Sequence, residues 1–140
     1  MLQQDLQALL DRVRGIAEQM LSDRKALEVF GATMTTNGEI SLAYPDPSCA
    51  SAPGGAVGQM FVTFNQFAKA SHIRAAALCV PVPPGGLPKS EFTHAVAFNL
   101  EHQNGDSFAV VVPYKKRLFG GIKYGPSSQF KDKQRVFAGC

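Results

Sequence analysis

Three histidines, His72, His94 and His102, are the side chains best suited to hold a metal ion or move a proton near neutral pH. Their spacing argues against a shared ion. If residues 92–102 form a regular strand, His94 and His102 lie on one face but about 26 Å apart, at about 3.3 Å per residue. His72 opens a different segment, and no His-Glu-x-x-His pattern or carboxylate-rich loop accompanies any of the three. No metal site is expected. Glu101 and His102, with Asp106 nearby, could pair as acid and base, but neighbours on a strand point to opposite faces. A solvated hairpin tip is the simpler reading.

Nucleophile patterns are equally sparse. Gly-x-Ser-x-Gly and Cys-Gly-x-Cys are absent, and Ser127-Ser128 follow a Gly-Pro pair with no evident base. The pairs Gly54-Gly55 and Gly85-Gly86 lead into neither a phosphate-binding loop nor a dinucleotide fingerprint, so no cofactor is expected. Gly54-Gly55 does precede a helical pattern whose N-terminus could accept an anion, as any helix start can. If the chain binds a small ligand, the candidates are His94, Glu101, His102, Tyr114, Lys115 and Arg117 around a pocket near a sheet edge.

Charge is unevenly distributed. Residues 113–140 carry Lys115, Lys116, Arg117, Lys123, Lys131, Lys133 and Arg135 against Asp132, net +6, whereas residues 1–112 are net -3. Basic groups interleaved with Tyr114, Phe119, Tyr124, Phe130 and Phe137 could neutralise phosphates and stack on bases. The competing reading is attraction between an acidic body and a basic segment, with the aromatic residues docking that segment on the core. No RNA- or DNA-binding module is recognisable, which favours the second reading.

The elements that must position these groups are legible from periodicity. Leu2, Leu6, Leu9, Leu10, Val13, Ile16, Ala17, Met20 and Leu21 mark one stripe of an amphipathic helix. Its other side mixes both signs of charge, which fits a helix covering a sheet and not one lying on a membrane. Residues 29–34 and 40–44 are rich in β-formers, and Asn37-Gly38 between them predicts a type I′ hairpin turn. Residues 45–55, with three prolines, read as an exposed loop. Val57, Met60, Phe61, Phe64, Phe67 and Ala68 then mark a second amphipathic helix, whose aromatic stripe belongs to a core.

Residues 73–82, 92–102 and 107–114 predict three more strands, the last two joined at Asn104-Gly105. The expected fold is a single α+β domain over residues 1–140. It has a largely antiparallel five-stranded sheet and two amphipathic helices, in the order α-β-β-α-β-β-β, followed by an irregular basic tail over residues 113–140 packed on it. Residues 75–80 and 108–112 are apolar at every position, so both faces of the sheet need cover. The helices could take one face each, or share one and leave the other to a partner chain. A homodimer is the expectation, with a further protein partner conceivable.

The start of the chain shows no basic, apolar leader, and Cys49, Cys79 and Cys140 are an odd number at wide spacings. A reducing cytoplasm is expected, with no disulfide framework and no membrane contact. A composition of 45% hydrophobic and 18% charged residues excludes a disordered chain.

Taken together, Phe30-Gly31-Ala32-Thr33, Arg74-Ala75-Ala76-Ala77-Leu78 ahead of a Pro-Pro-Gly-Gly loop, Leu100-Glu101-His102 with Gly105, and Val112-Pro113-Tyr114 resemble a group of small bacterial proteins with no established activity. That resemblance, over about residues 29–137, implies a bacterial cytoplasmic setting and carries over no catalytic residue. The element order is also similar to the roadblock and profilin-like scaffolds, which commonly dimerise and regulate partners, although no terminal helix is evident here. The expected function is a non-catalytic interaction or regulatory protein acting as a homo-oligomer. The alternative is a small-ligand-binding protein or enzyme.

Overall fold

Leucines at three- and four-residue steps become helix α1, Gln4–Ser22, which buries Leu6, Leu9, Leu10, Val13, Ala17 and Leu21. The computed structural model describes residues 2–23, 25–47, 54–82 and 91–139. After α1 come β1 (Phe30–Thr35), β2 (Ile40–Ala43), helix α2 (Gly55–Lys69), β3 (Ile73–Val82), β4 (His94–His102) and β5 (Ser107–Lys116). To this point the element order is the expected one.

The five-strand count and the irregular tail need correction. Beyond β5 the chain adds β6 (Ile122–Tyr124) and β7 (Ser128–Lys131), making an antiparallel sheet of seven strands ordered β2-β1-β3-β4-β5-β6, with β7 also on β5. Both added strands use the outer edge of β5: β7 pairs with residues 108–111 and β6 with residues 114–116. The gap between them falls at Val112-Pro113, where proline has no N–H to donate. Strands of three and four residues, one exposed along its whole length, leave no alternation for a sequence pattern to reveal.

The hairpin turns also differ from expectation. At Asn37-Gly38 only the glycine takes a positive φ, +88°, and the Gly38 N–H donates to Thr35 O at 2.9 Å. The Asn104-Gly105 turn repeats this, with Gly105 at φ +106° and its N–H on His102 O at 3.1 Å. Both are three-residue loops closed by a left-handed glycine, not two-residue type I′ turns. Side chains fix them: Thr35 Oγ1 accepts from the Glu39 N–H, and Asn104 Oδ1 accepts from the Asp106 N–H.

Strand parity decides which helix each residue meets. Even-numbered residues of β4 and β5, among them Val96, Phe98, Leu100, Val110, Val112 and Tyr114, form the main core with α1. The opposite face carries a second cluster, in which Met60, Phe64 and Ala68 of α2 meet Ile73, Ala76, Leu78, Val136 and Phe137. The helices therefore take one face each. The fit of α2 depends on Gly31 of β1, because a Cβ there would lie 2.6 Å from Ala77 O and 2.9 Å from Phe64 Cζ. Each face thus has a helix, but their reach is unequal. While α1 packs on β1, β3 and β4, α2 packs chiefly on β3.

Candidate interaction surface

The six candidate ligand-binding residues separate by strand parity and by end. His102 faces α1 at one end of β4, where its Nε2 meets Asp5 Oδ2 at 2.9 Å and its Nδ1 accepts from the Asn104 N–H at 3.1 Å. The accepting Nδ1 places the proton of the neutral ring on Nε2, so both nitrogens are engaged. Asp5 Oδ1 takes Arg74 at 3.1 Å, and Arg74 also donates to Thr36 O. The hydrogen bond from His102, reinforced by Arg74, holds the Asp5 carboxyl below the ordinary carboxylate value although burial opposes it. Gln3 donates to Asp106 Oδ2 at 2.6 Å beside this cluster. Together these bonds pin the first turn of α1 to the β4–β5 hairpin.

Glu101 lies on the other face and is only 2% exposed. Its carboxylate accepts backbone N–H groups from Arg135 at 2.8 Å, Val136 at 2.9 and 3.0 Å, and Phe137 at 3.3 Å. Asn65 of α2 completes the clamp by donating to Val136 O and Ala138 O. Glu101 and His102 are thus sequence neighbours with separate structural tasks. Spacing could not have paired Glu101 with a segment 34–36 residues away.

His94 and Tyr114 sit at the far end of the same two strands. Their rings stack with centroids 5.2 Å apart, and burial raises the Tyr114 hydroxyl above its ordinary value. Thr93 Oγ1 lies 2.8 Å from His94 Nδ1. Lys115 is on the opposite face, where Glu91 bridges it and Lys123 at 3.0 and 3.4 Å. These cations lower the Glu91 carboxyl, the Lys115 hydrogen bond foremost. Arg117 is exposed in the β5–β6 turn. The structure therefore brings His94 to Tyr114 and leaves Glu101 and His102 at the other end, eight residues along β4, or about 26 Å at strand rise.

The basic segment divides in the same way. Lys115, Lys116, Arg117 and Lys123 cluster on the β5–β6 hairpin, whereas Lys131, Lys133 and Arg135 follow β7 toward the Glu101 end. Arg135 pairs with Asp132 at 2.8 Å and stands 5.2 Å over the Phe61 ring. His72 is exposed before β3, and among the described residues no three His, Cys, Asp or Glu side chains gather as a metal site. Cys79 is buried against the α1 face, which pushes its thiol up to about 12. Cys49, Cys140 and Gly85-Gly86 lie outside the described residues.

Among the clefts lined by the described residues, three are open to solvent and similar in size. One of about 350 Å³ between α2 and the β4–β5 hairpin is lined by Ser71, Gln103, Asn104, Gln134 and Phe137. Another of about 350 Å³ lies under the β5–β6 hairpin and includes Leu21, Lys116, Arg117 and Ile122. A third, of about 360 Å³, crosses the outside of α2 by Phe61 and Arg135. Only the second contains a candidate residue, Arg117.

Among the described residues, part of the sheet lies beyond the reach of α2 and stays partly accessible. Register places Val80, Ala97, Val111 and Ser128 in one row, and Leu78, Asn99, Ala109 and Phe130 in the next. Leu78 is buried, but Val80, Ala97, Asn99, Ala109 and Val111 stay partly accessible and Phe130 is 56% exposed. The signal for this surface was present in the unbroken apolar run of β5, which offered valine and alanine to both faces. The chain matches no protein-family model, no curated protein and no solved structure. No helix is long and apolar enough to cross a membrane among the described residues.

Proposed function

We propose that this protein is a non-catalytic interaction protein that works as a homo-oligomer, two copies meeting through the half of the sheet that α2 leaves open. The observation that carries the reading is the pair of rows Val80-Ala97-Val111-Ser128 and Asn99-Ala109-Phe130, partly accessible along β3, β4 and β5, exposed at Ser128 and Phe130, and without a charge. Apolar sheet surface left to water is unfavourable and marks a contact face. A second copy fits it best, because in a two-fold contact each residue meets the same surface on its mate, and a neutral patch does so without self-repulsion.

Sedimentation of the full chain over a range of concentrations tests this directly. A dimer is expected, and Phe130→Glu or Val111→Asp should shift it to monomer while leaving the circular dichroism spectrum in place. A chain that stays monomeric at high concentration overturns the proposal.

A small-ligand reading is favoured by one observation, the cleft under the β5–β6 hairpin, where apolar Leu21 and Ile122 stand beside Lys116 and Arg117. Such a lining suits an amphiphilic anion. Thermal stabilisation by a short-chain fatty acid, lost in Arg117→Ala, supports that reading; no shift with any chain length rejects it.

A further inference from the structure

We infer that the tip of the β5–β6 hairpin docks on an anionic lipid surface, with Leu118 and Phe119 entering the interface and the surrounding cations meeting the headgroups. Leu118 and Phe119 are each 86% exposed, the highest values among the large apolar residues described. They stand in a tight loop closed by the Arg117 N–H on Gly121 O at 2.9 Å, with Gly120 and Gly121 at φ +89° and +85°. The glycines make the turn. Nothing in its closure needs a leucine and a phenylalanine, and polar residues would satisfy it without exposing apolar area to water.

The arms of the hairpin add the second half of the argument. Lys115 and Lys123 face each other across the ladder on one side, Lys116 lies opposite Ile122 on the other, and Arg117 begins the turn. Glu91 engages Lys115 and Lys123, while Lys116 and Arg117 are in no ion pair among the described residues. Cations therefore collar the apolar tip on both faces of the hairpin. An apolar wedge with a basic collar is the arrangement that binds the boundary of an anionic bilayer, where apolar burial and headgroup attraction add. Two apolar side chains at a hairpin tip offer a folded protein partner far less than the usual contact area per side, about 800 Å². The mixed charge on α1 makes that helix a poor membrane surface, so this function falls to a hairpin that helical periodicity could not disclose.

Flotation of the full chain with vesicles tests the inference, comparing phosphatidylcholine alone with phosphatidylcholine containing about one-third phosphatidylserine. Binding is expected only to the anionic vesicles, weakening as salt rises. Lys116→Glu with Arg117→Glu should reduce it more than twentyfold, since each basic residue near such a surface contributes about fivefold. Leu118→Ser with Phe119→Ser should reduce it at least tenfold without unfolding the protein, because both side chains are already in solvent. Phe130→Glu, which targets the proposed dimer face and leaves the tip unchanged, should still bind the anionic vesicles in a way that depends on Leu118 and Phe119, although loss of avidity weakens it. Absence of binding to anionic vesicles at low salt overturns the inference. So does binding that ignores the Leu118 and Phe119 substitutions, or capture of an acidic polypeptide where vesicles are not bound.

Discussion

Replacing Glu101 should free the C-terminal segment while leaving the sheet intact. Fixing the backbone of residues 134–138 costs about 5–10 kcal/mol in conformational entropy. Burying Val136 and Phe137, 2% and 6% exposed, returns about 3–6 kcal/mol. Hydrogen bonds to an ionised acceptor contribute about 1.5–3 kcal/mol each. The N–H groups of Arg135, Val136 and Phe137 on Glu101 thus supply about 5–9 kcal/mol, and the segment is held by a few kcal/mol. In Glu101→Ala the balance falls to zero or below. Hydrogen–deuterium exchange should then show residues 133–139 exchanging at nearly the unprotected rate, while residues 96–100 of β4 keep their protection. Glu101→Gln retains one neutral acceptor oxygen and should fall between. Slow exchange of the segment in Glu101→Ala, indistinguishable from wild type, would refute the anchoring role.

Three further outcomes follow from particular contacts. Asp5 has a folded-state pKa below its ordinary value of about 3.9, so its contribution is complete above that value and disappears as pH falls through the lower folded one. Asp5→Asn should therefore flatten the loss of urea resistance as pH falls through and below the ordinary carboxylate value, and identical acid profiles would reject the pairing. Gly31→Ala should cost about 1–3 kcal/mol in urea unfolding, because its new methyl meets the Ala77 carbonyl and the Phe64 ring; an unchanged midpoint would show that α2 can give way. Cys79, buried with its thiol near 12, should resist thiol reagents in the native protein and react at the rate of unfolding, as peptide mapping would resolve. Modification at the rate of an exposed thiol would contradict its placement.

Legibility in the sequence followed the strength of local periodicity. Leu6, Leu9, Leu10 and Val13 in α1, and Met60 and Phe64 in α2, repeat at helical steps because one face of each helix is buried. The apolar run of β3 meets a helix cluster on each face, whereas that of β5 has the main core on one face and partly accessible Ala109 and Val111 on the other, and the glycines of both Asn-Gly pairs do turn the chain. What was lost is non-local. Asp5 meets Arg74 and His102 across 69 and 97 residues, and the only trace in the sequence was a charge at Arg74 opening an apolar strand. The short strands β6 and β7 owe their existence to the open edge of β5 and not to their own composition. The proposed site was half legible: the apolar strand predicted an excess of sheet surface, but only the limited reach of α2 locates it.

The two ends of the sheet differ in what their polar groups have left to offer. At the Glu101–His102 end, both oxygens of Asp5, both oxygens of Glu101 and both nitrogens of His102 are engaged by groups of the chain itself. A carboxylate that accepts backbone donors and an imidazole with neither nitrogen free are poorly placed to exchange protons with a substrate, for which hydrogen-bond reach must be open. At the β5–β6 end the balance reverses, since Lys116 and Arg117 lack ion-pair partners among the described residues while Leu118 and Phe119 stand in water. Antiparallel β4 and β5 run through both ends, so an internally satisfied end and an unsatisfied one share the same pair of strands. That division leaves hydrogen-bonding capacity open at the β5–β6 end and closed at the Glu101–His102 end, with the uncharged rows of the sheet face lying between them.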